Sequence, residues 1–180
     1  MKKKQDWLIL GLIAIVAAVL LAGTNMITKE PIERQARMAQ NASRMAAMPN
    51  VYDFEEMTQD AGADGVDSCY KALAADGSTM GYVVQTTVKG YGGDIEVMVG
   101  VDTNGAITGL TAGGSNFSET SGVGTRVREE SFTSTFIGLT ATPVAGDNVE
   151  TLSGATISSK AVIGGAGTAY DHAASHLDAE

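Results

Sequence analysis

From Trp7 to Thr28 the chain carries no charged residue, and Lys2, Lys3 and Lys4 stand immediately before this apolar run. About 20 helical residues rising 1.5 Å each cross a hydrocarbon layer of ~30 Å, so the pattern predicts one transmembrane helix. Trp7 suits the interface, and the basic flank places the N-terminal tip in the cytoplasm and residues 29–180 outside the cytosol. A cleaved secretory signal is the rival reading, since Ala22 and Gly23 are small. Against it, Leu20 stands where a cut after Ala22 wants a small residue, and the run is longer than a usual signal core. No cysteine follows the run, which removes lipoprotein anchoring.

Beyond the run the pattern changes twice. Ile32, Ala36, Ala39, Ala42 and Ala46 recur at helical spacing, with Pro31 suited to a first turn and Pro49-Asn50 to a stop, so residues 29–50 read as a helical stalk. Strand signals follow at 68–75 and 80–89 around the Asp76-Gly77 turn, the latter rich in β-branched residues, and at 95–101 and 106–112 around Asp102-Thr103-Asn104-Gly105, whose Asn-Gly suits a tight turn. A Gly/Ser-rich loop covers 113–124. A short helix over 128–139 would bury Phe132, Phe136 and Ile137. A last helix from about Ser158 shows Val162, Ala166, Ala169 or Tyr170, Ala173 and Leu177 on one face, and Gly164, Gly165 and Gly167 weaken it unless close packing needs them. The expected fold is α+β: a transmembrane helix (1–28), the stalk (29–50) and one domain (51–180) of antiparallel hairpins packed with helices.

Charge and cysteine content narrow the chemistry. Twelve basic against twenty-one acidic residues give a net charge of −9 without a basic stripe, which argues against nucleic acid as a partner. The run Asp53-Phe54-Glu55-Glu56 reads as a solvated face. Cys69 is the single cysteine, so an internal disulfide is excluded and neither a cysteine-based cluster nor a zinc site is expected. His172 and His176, four apart, read as solvated or packing residues because no Glu follows His172 as a zinc protease requires. Met38, Met45, Met48 and Met57 read as packing in the stalk rather than as a copper site. No metal is expected. The glycine runs at 90–93 and 164–167 lack the strand, glycine turn, helix order of a dinucleotide fingerprint.

The stretch "VETLSGATISSKAV" (149–162) contains no acid-base pair, so its threonine is a point of attachment or contact rather than catalysis. Ser153, Gly154 and Ala155 leave room for a large group, and Gly154 can take positive φ. Ser158 or Ser159 can cap the helix that follows. A helix start offers unpaired N–H groups and partial positive charge, which suits a phosphate. On these residues alone, an ordinary capped turn and a phosphate-binding turn with a hydroxyl inside it both remain open.

"SGATISSKAV" resembles the flavinylation motif of the FMN-binding domain family: an acidic residue, two variable positions, Ser or Thr, Gly, Ala, then Thr or Ser. Here these are Glu150, Thr151, Leu152, Ser153, Gly154, Ala155 and Thr156, with Glu150 where the family usually has Asp. "SETSGVGTR" (118–126) resembles the family's Glu-Thr-Pro-Gly-Leu-Gly segment, with Ser121 for Pro and Val123 for Leu. "KGYGGDIEVMVGVDTNGAITGL" (89–110) resembles the preceding Gly-aromatic-Gly strand and hairpin.

The resemblance implies FMN joined through its phosphate to the Thr156 hydroxyl as a phosphoester by a flavin transferase. It assigns the ring to Glu119, Thr120, Gly122, Val123 and Gly124. Ser153, Gly154, Ala155, Ser158 and Ser159 surround the attachment, and Arg126 is a candidate for the phosphate or for charge on the flavin. The anchor and domain order is also similar to the RnfG family, the G subunits of Rnf complexes, membrane electron-transport chains linking ferredoxin and NAD to ion translocation. That similarity implies an electron-carrying subunit of a redox-driven translocase, with other Rnf subunits as partners and no substrate turnover of its own. The C subunit of sodium-pumping NADH:quinone reductases, a freestanding extracytoplasmic FMN-domain carrier, and an anchored non-redox binding or adhesion module are the alternatives.

Overall fold

The computed structural model describes residues 3–58, 62 and 65–177; within them, the side chains of 3–9, 25–27 and 30–37 lie outside the description. The chain divides into two compact units, 1–40 and 41–180.

In the first unit the backbone is helical from Lys3, the start of α1 (Lys3–Ala47). Leu10, Leu12, Ile13, Ile15, Val16, Val19, Leu20 and Leu21 are all exposed and lie all round the helix. The expected span of 7–28 falls partly outside the described side chains, and among the described residues no helix is long and apolar enough to cross a membrane. The helix start expected at Pro31 is absent, because α1 runs through that position without a break. Ile32 and Ala36 of the expected stalk face also lie outside the described side chains.

The second unit is a five-stranded antiparallel meander with helices on its faces, as an α+β fold requires. Its strands β1 (Asp53–Glu56), β2 (Val66–Leu73), β3 (Thr79–Lys89), β4 (Asp94–Asp102) and β5 (Ile107–Gly113) lie side by side in chain order. Both expected hairpins are present. In the β2–β3 turn the Asp76 carboxylate accepts the Ser78 hydroxyl at 2.6 Å and the Ser78 N–H at 3.0 Å. At β4–β5, Asp102 accepts the N–H groups of Asn104 and Ala106, each at 2.9 Å, while Gly105 takes φ 75°. The acidic run 53–56 forms an edge strand, paired to β2 with Phe54 opposite Ala72.

One face of the sheet carries α3 (Thr156–Leu177), whose buried Val162, Ile163, Ala166, Ala169, Tyr170 and Ala173 join Val84, Val97, Val99 and Val101 in the main core. Contact is closest at Gly165, where an added Cβ would lie 2.7 Å from a Val88 methyl and 3.0 Å from Thr86 Oγ1; the Thr86 hydroxyl donates to the Gly165 carbonyl at 3.2 Å. Gly167 similarly faces the Pro143 carbonyl, while Gly164 faces open space. The opposite face is covered by the last residues of α1. Ala47 and Met48 pack with Tyr70, Ala72, Val83 and Met98, the Thr108 hydroxyl donates to the Ala47 carbonyl at 2.7 Å, and Arg44 lies 3.8 Å above the Tyr70 ring.

The helix expected over 128–139 is broken. A 3₁₀ turn (Gly124–Arg128) leads into the single-turn α2 (Glu130–Thr133), then another 3₁₀ turn (Ser134–Phe136). The hydroxyls of Thr133 and Thr135 donate to the carbonyls of Glu129 and Phe132, competing with a regular helical ladder. Phe132 and Phe136 are buried edge to face, but Ile137 is exposed because the chain turns extended there.

Candidate functional site

Leu152, Ser153, Gly154 and Ala155 form a tight turn closed by the Ala155 N–H donating to the Leu152 carbonyl at 3.0 Å. Gly154 occupies the third position with φ 82°, as a type II turn demands. The turn delivers Ala155 as the residue whose carbonyl accepts the first helical bond, from the Ser159 N–H at 2.9 Å. Hence α3 starts at Thr156 rather than Ser158, and neither serine is its cap.

Both serines are buried and their hydroxyls are engaged inside the protein. Ser159 Oγ donates to the Ala155 carbonyl at 2.9 Å and accepts the Leu152 N–H at 3.1 Å, which locks the turn onto the helix. Ser158 Oγ donates to Glu119 at 2.8 Å. Thr156 is exposed, as are Ser153 and Gly154 before it. Lys160, also exposed, is four residues on and shares the Thr156 face.

Glu119 joins three segments distant in sequence. It is only 8% exposed; one carboxylate oxygen accepts the Ser158 hydroxyl of α3 and the other accepts the Gly92 N–H of the β3–β4 loop at 3.0 Å. A Cβ at Gly90 or at Gly124 would collide with this carboxylate, so two glycines make the space for it. The Glu119 side chain points inward and holds the loops together.

The 118–126 loop folds back on itself around the exposed Thr120, whose carbonyl accepts the N–H groups of Val123 and Thr125 at 3.1 and 3.2 Å. Gly122 takes φ 73° and donates its N–H to Thr125 Oγ1 at 2.9 Å. Arg126 Nη1 donates to the Ser153 carbonyl at 3.2 Å, bringing a guanidinium to the threonine turn. Tyr91, Val123 and Ile157 stay exposed on the three segments that Glu119 ties. Glu150 is exposed where the chain enters the turn.

The arrangement fits an anionic group with an apolar extension. The first two residues of a 22-residue helix, Thr156 and Ile157, face solvent, at the end where N–H groups have no intrahelical acceptor. A hydroxyl sits at its first position, Arg126 is tied alongside, and exposed apolar side chains stand on the adjoining loops. Tyr91, Ile157, Lys160 and the Gly92 N–H escape a motif-by-motif reading. The exposed aromatic between two glycines was the one available signal.

A model of the FMN-binding domain matches residues 90–171, the stretch that contains every element of this site. The second unit therefore carries an FMN-binding domain. A model of the RnfG N-terminal region matches residues 8–44. The G subunit of the Na⁺-translocating ferredoxin:NAD⁺ oxidoreductase complex of Acetobacterium woodii is 32% identical over 191 residues, covering 91% of either chain. The G subunit of an ion-translocating oxidoreductase complex of Methanosarcina acetivorans is 34% identical over 175 residues, covering 89% of this chain and 88% of its own. The chain belongs to the RnfG family, the G subunits of ion-translocating oxidoreductase complexes. A solved structure of the C subunit of the Na⁺-translocating NADH-quinone reductase from Parabacteroides distasonis shares the fold, at 20% identity and TM-score 0.50 over 63% of either chain.

Proposed function

We propose that this chain is the electron-carrying flavoprotein subunit of an Rnf-type ion-translocating ferredoxin:NAD⁺ oxidoreductase complex, with FMN joined to Thr156 through a phosphoester. The observation that carries the attachment point is the exposed Thr156 hydroxyl at the first position of α3, next to a turn that Arg126 binds. By contrast Ser158 and Ser159, the other hydroxyls of the motif, are buried and already engaged.

Bound FMN supplies the redox chemistry, and the protein supplies position and electrostatics. Ser153 and Gly154 leave the approach open, and the first N–H groups of α3, Arg126 and Lys160 favour the phosphate charge. Thr120, the 122–124 backbone, Tyr91, Val123 and Ile157 face the isoalloxazine. Glu119 and Ser158 fix the distance between the ring-facing loop and the attachment helix. Covalent attachment keeps the flavin in place outside the cytosol, where a lost cofactor is not replenished. A flavin transferase performs the attachment, and the partners are the other membrane and peripheral subunits of the complex.

The N-terminal segment is proposed as a retained single-pass anchor with its tip in the cytoplasm and the flavin domain on the other side. Supporting it are the lysine flank, the charge-free run and the apolar side chains exposed all round α1.

Expression with a flavin transferase tests the reading. Wild type and Thr156→Ser carry FMN-sized mass and a fluorescent band on a denaturing gel; Thr156→Val folds and shows neither. Retention of flavin by the valine variant, with loss in Ser158→Ala or Ser159→Ala, would overturn the assignment.

A further inference from the structure

The C-terminal turns of α3 carry a second constellation. Cys69, fully buried on β2 beneath the helix, meets His172 and His176, and the Sγ and one nitrogen of each imidazole all lie within 4.8 Å of one another. The two Nε2 atoms are 3.4 Å apart. Two imidazole nitrogens held tetrahedrally at 2.0–2.1 Å from one ion stand about 3.3–3.4 Å apart, so the histidine pair already has the spacing of a chelate. His176 is held by stacking on Tyr82, with centroids 5.2 Å apart and planes at 29°. A fourth soft atom is adjacent: Cys69 Sγ–H donates to Met57 Sδ at 3.9 Å, and the Met57 N–H bonds the Cys69 carbonyl at 2.8 Å. Met57 thus belongs to the sheet edge and not to the stalk, and the single cysteine has mixed partners that reasoning about cysteine-only sites leaves out.

We propose that Cys69, His172 and His176, with the Met57 thioether as a weak fourth donor, bind one Cu(I) ion. Thiolate and thioether ligands select soft Cu(I), and imidazole also suits copper. The half-buried histidines give access from solvent, while the thiol lies behind them. Binding forms a Cu–S bond as the Cys69 proton leaves to water. The imidazole that shares its Nε2 proton with its neighbour passes it to Nδ1 through solvent, so both Nε2 lone pairs become ligands. No oxidation state changes. Closure of the sulfur–nitrogen edges from at most 4.8 Å to about 3.6 Å needs a shift of roughly 1 Å, which the last turn of α3 can supply.

The test uses the full flavinylated chain in detergent, titrated anaerobically with Cu(I) against a chromophoric chelator and followed by difference spectra, with metal counted by native mass spectrometry. One Cu(I) per chain is expected. His172→Gln and His176→Gln, both at half-buried positions, should keep the far-ultraviolet circular dichroism and weaken uptake on the order of 100-fold or more, beyond what loss of an outer-shell partner costs. Met57→Leu should weaken Cu(I) uptake and leave Zn(II) uptake unchanged. Absence of one-to-one uptake, or uptake indifferent to both histidine variants, overturns the site. Cu(I) uptake unaltered in Met57→Leu overturns the copper assignment.

Discussion

Glu119→Ala should destabilise the flavin domain well beyond an ordinary surface change, although the residue lies in a loop. Two donors lose their acceptor: the Gly92 N–H at 3.0 Å and the Ser158 hydroxyl at 2.8 Å. The Ser158 hydroxyl is buried, and a buried donor left without an acceptor costs about 1–3 kcal/mol, whereas Gly92 is exposed and its N–H can turn to water. For a domain near 150 residues, where about 1 kcal/mol shifts Tm by ~3–4 °C, a fall of roughly 3–12 °C follows. Glu119→Gln keeps one acceptor oxygen and turns an N–H toward the other donor, so about half that loss is expected. The assay is thermal unfolding of the full chain in detergent, read by near-ultraviolet circular dichroism. A cycle with Ser158→Ala adds a control, because removing donor and acceptor together should recover about 1–2 kcal/mol of coupling. Flavin attached at Thr156 should survive in Glu119→Ala, while its spectrum shifts as the loop loosens. A Glu119→Ala domain within ~0.5 kcal/mol of wild type, the range of an ordinary surface change, would refute the reasoning.

Three further outcomes follow from the same geometry. Gly165→Ala should destabilise by about 1–3 kcal/mol through overpacking against Val88 and Thr86. Gly164→Ala, one residue away and facing open space, should stabilise by up to ~1 kcal/mol in urea unfolding; equal effects of the two would contradict the close approach of α3 to β3. Gly154→Ala, forced to φ 82°, should cost on the order of 1 kcal/mol and reduce the yield of flavinylated protein; an unchanged yield would show that the turn is not needed for attachment. Protease added to intact spheroplasts should digest residues 41–180, and protection until lysis would refute an extracytoplasmic domain.

What the sequence discloses here depends on how local the cause is. The two hairpins are legible because β-branched content and turn chemistry sit in one window: Asp76 and Asp102 each bind backbone N–H groups within four residues. β1 is not legible, since Asp53, Glu55 and Glu56 look like any solvated run and become a strand only by backbone pairing with β2. The broken helix over 128–139 defeats periodicity because Thr133 and Thr135 divert their hydroxyls to backbone carbonyls, which no count of apolar spacing registers. Gly165 and Gly167 look like helix weakeners, yet they are where the sheet and the 142–143 segment come closest.

The same distinction runs through the candidate site. Gly154, Ala155 and Thr156 lie within three residues, so their turn and the exposed hydroxyl can be read as a unit. Ser158 and Ser159 misread as caps because the type II turn starts the helix two residues early, a consequence of the positive φ at Gly154 combined with the Ser159 hydroxyl closing on Leu152 and Ala155. Glu119 shows the reverse case. A motif comparison marks it as a site residue, but its work is set by Gly92 at 27 residues' distance and Ser158 at 39. Both oxygens of this buried carboxylate are engaged by internal donors, as a buried polar group requires, while the positive character at the start of α3 comes from the helix itself, Arg126 and Lys160. With one oxygen on Ser158 of α3 and the other on Gly92 of the β3–β4 loop, Glu119 holds three segments in register beneath the surface at Thr156, and the fit of that surface to an anion is set by the groups that face solvent there.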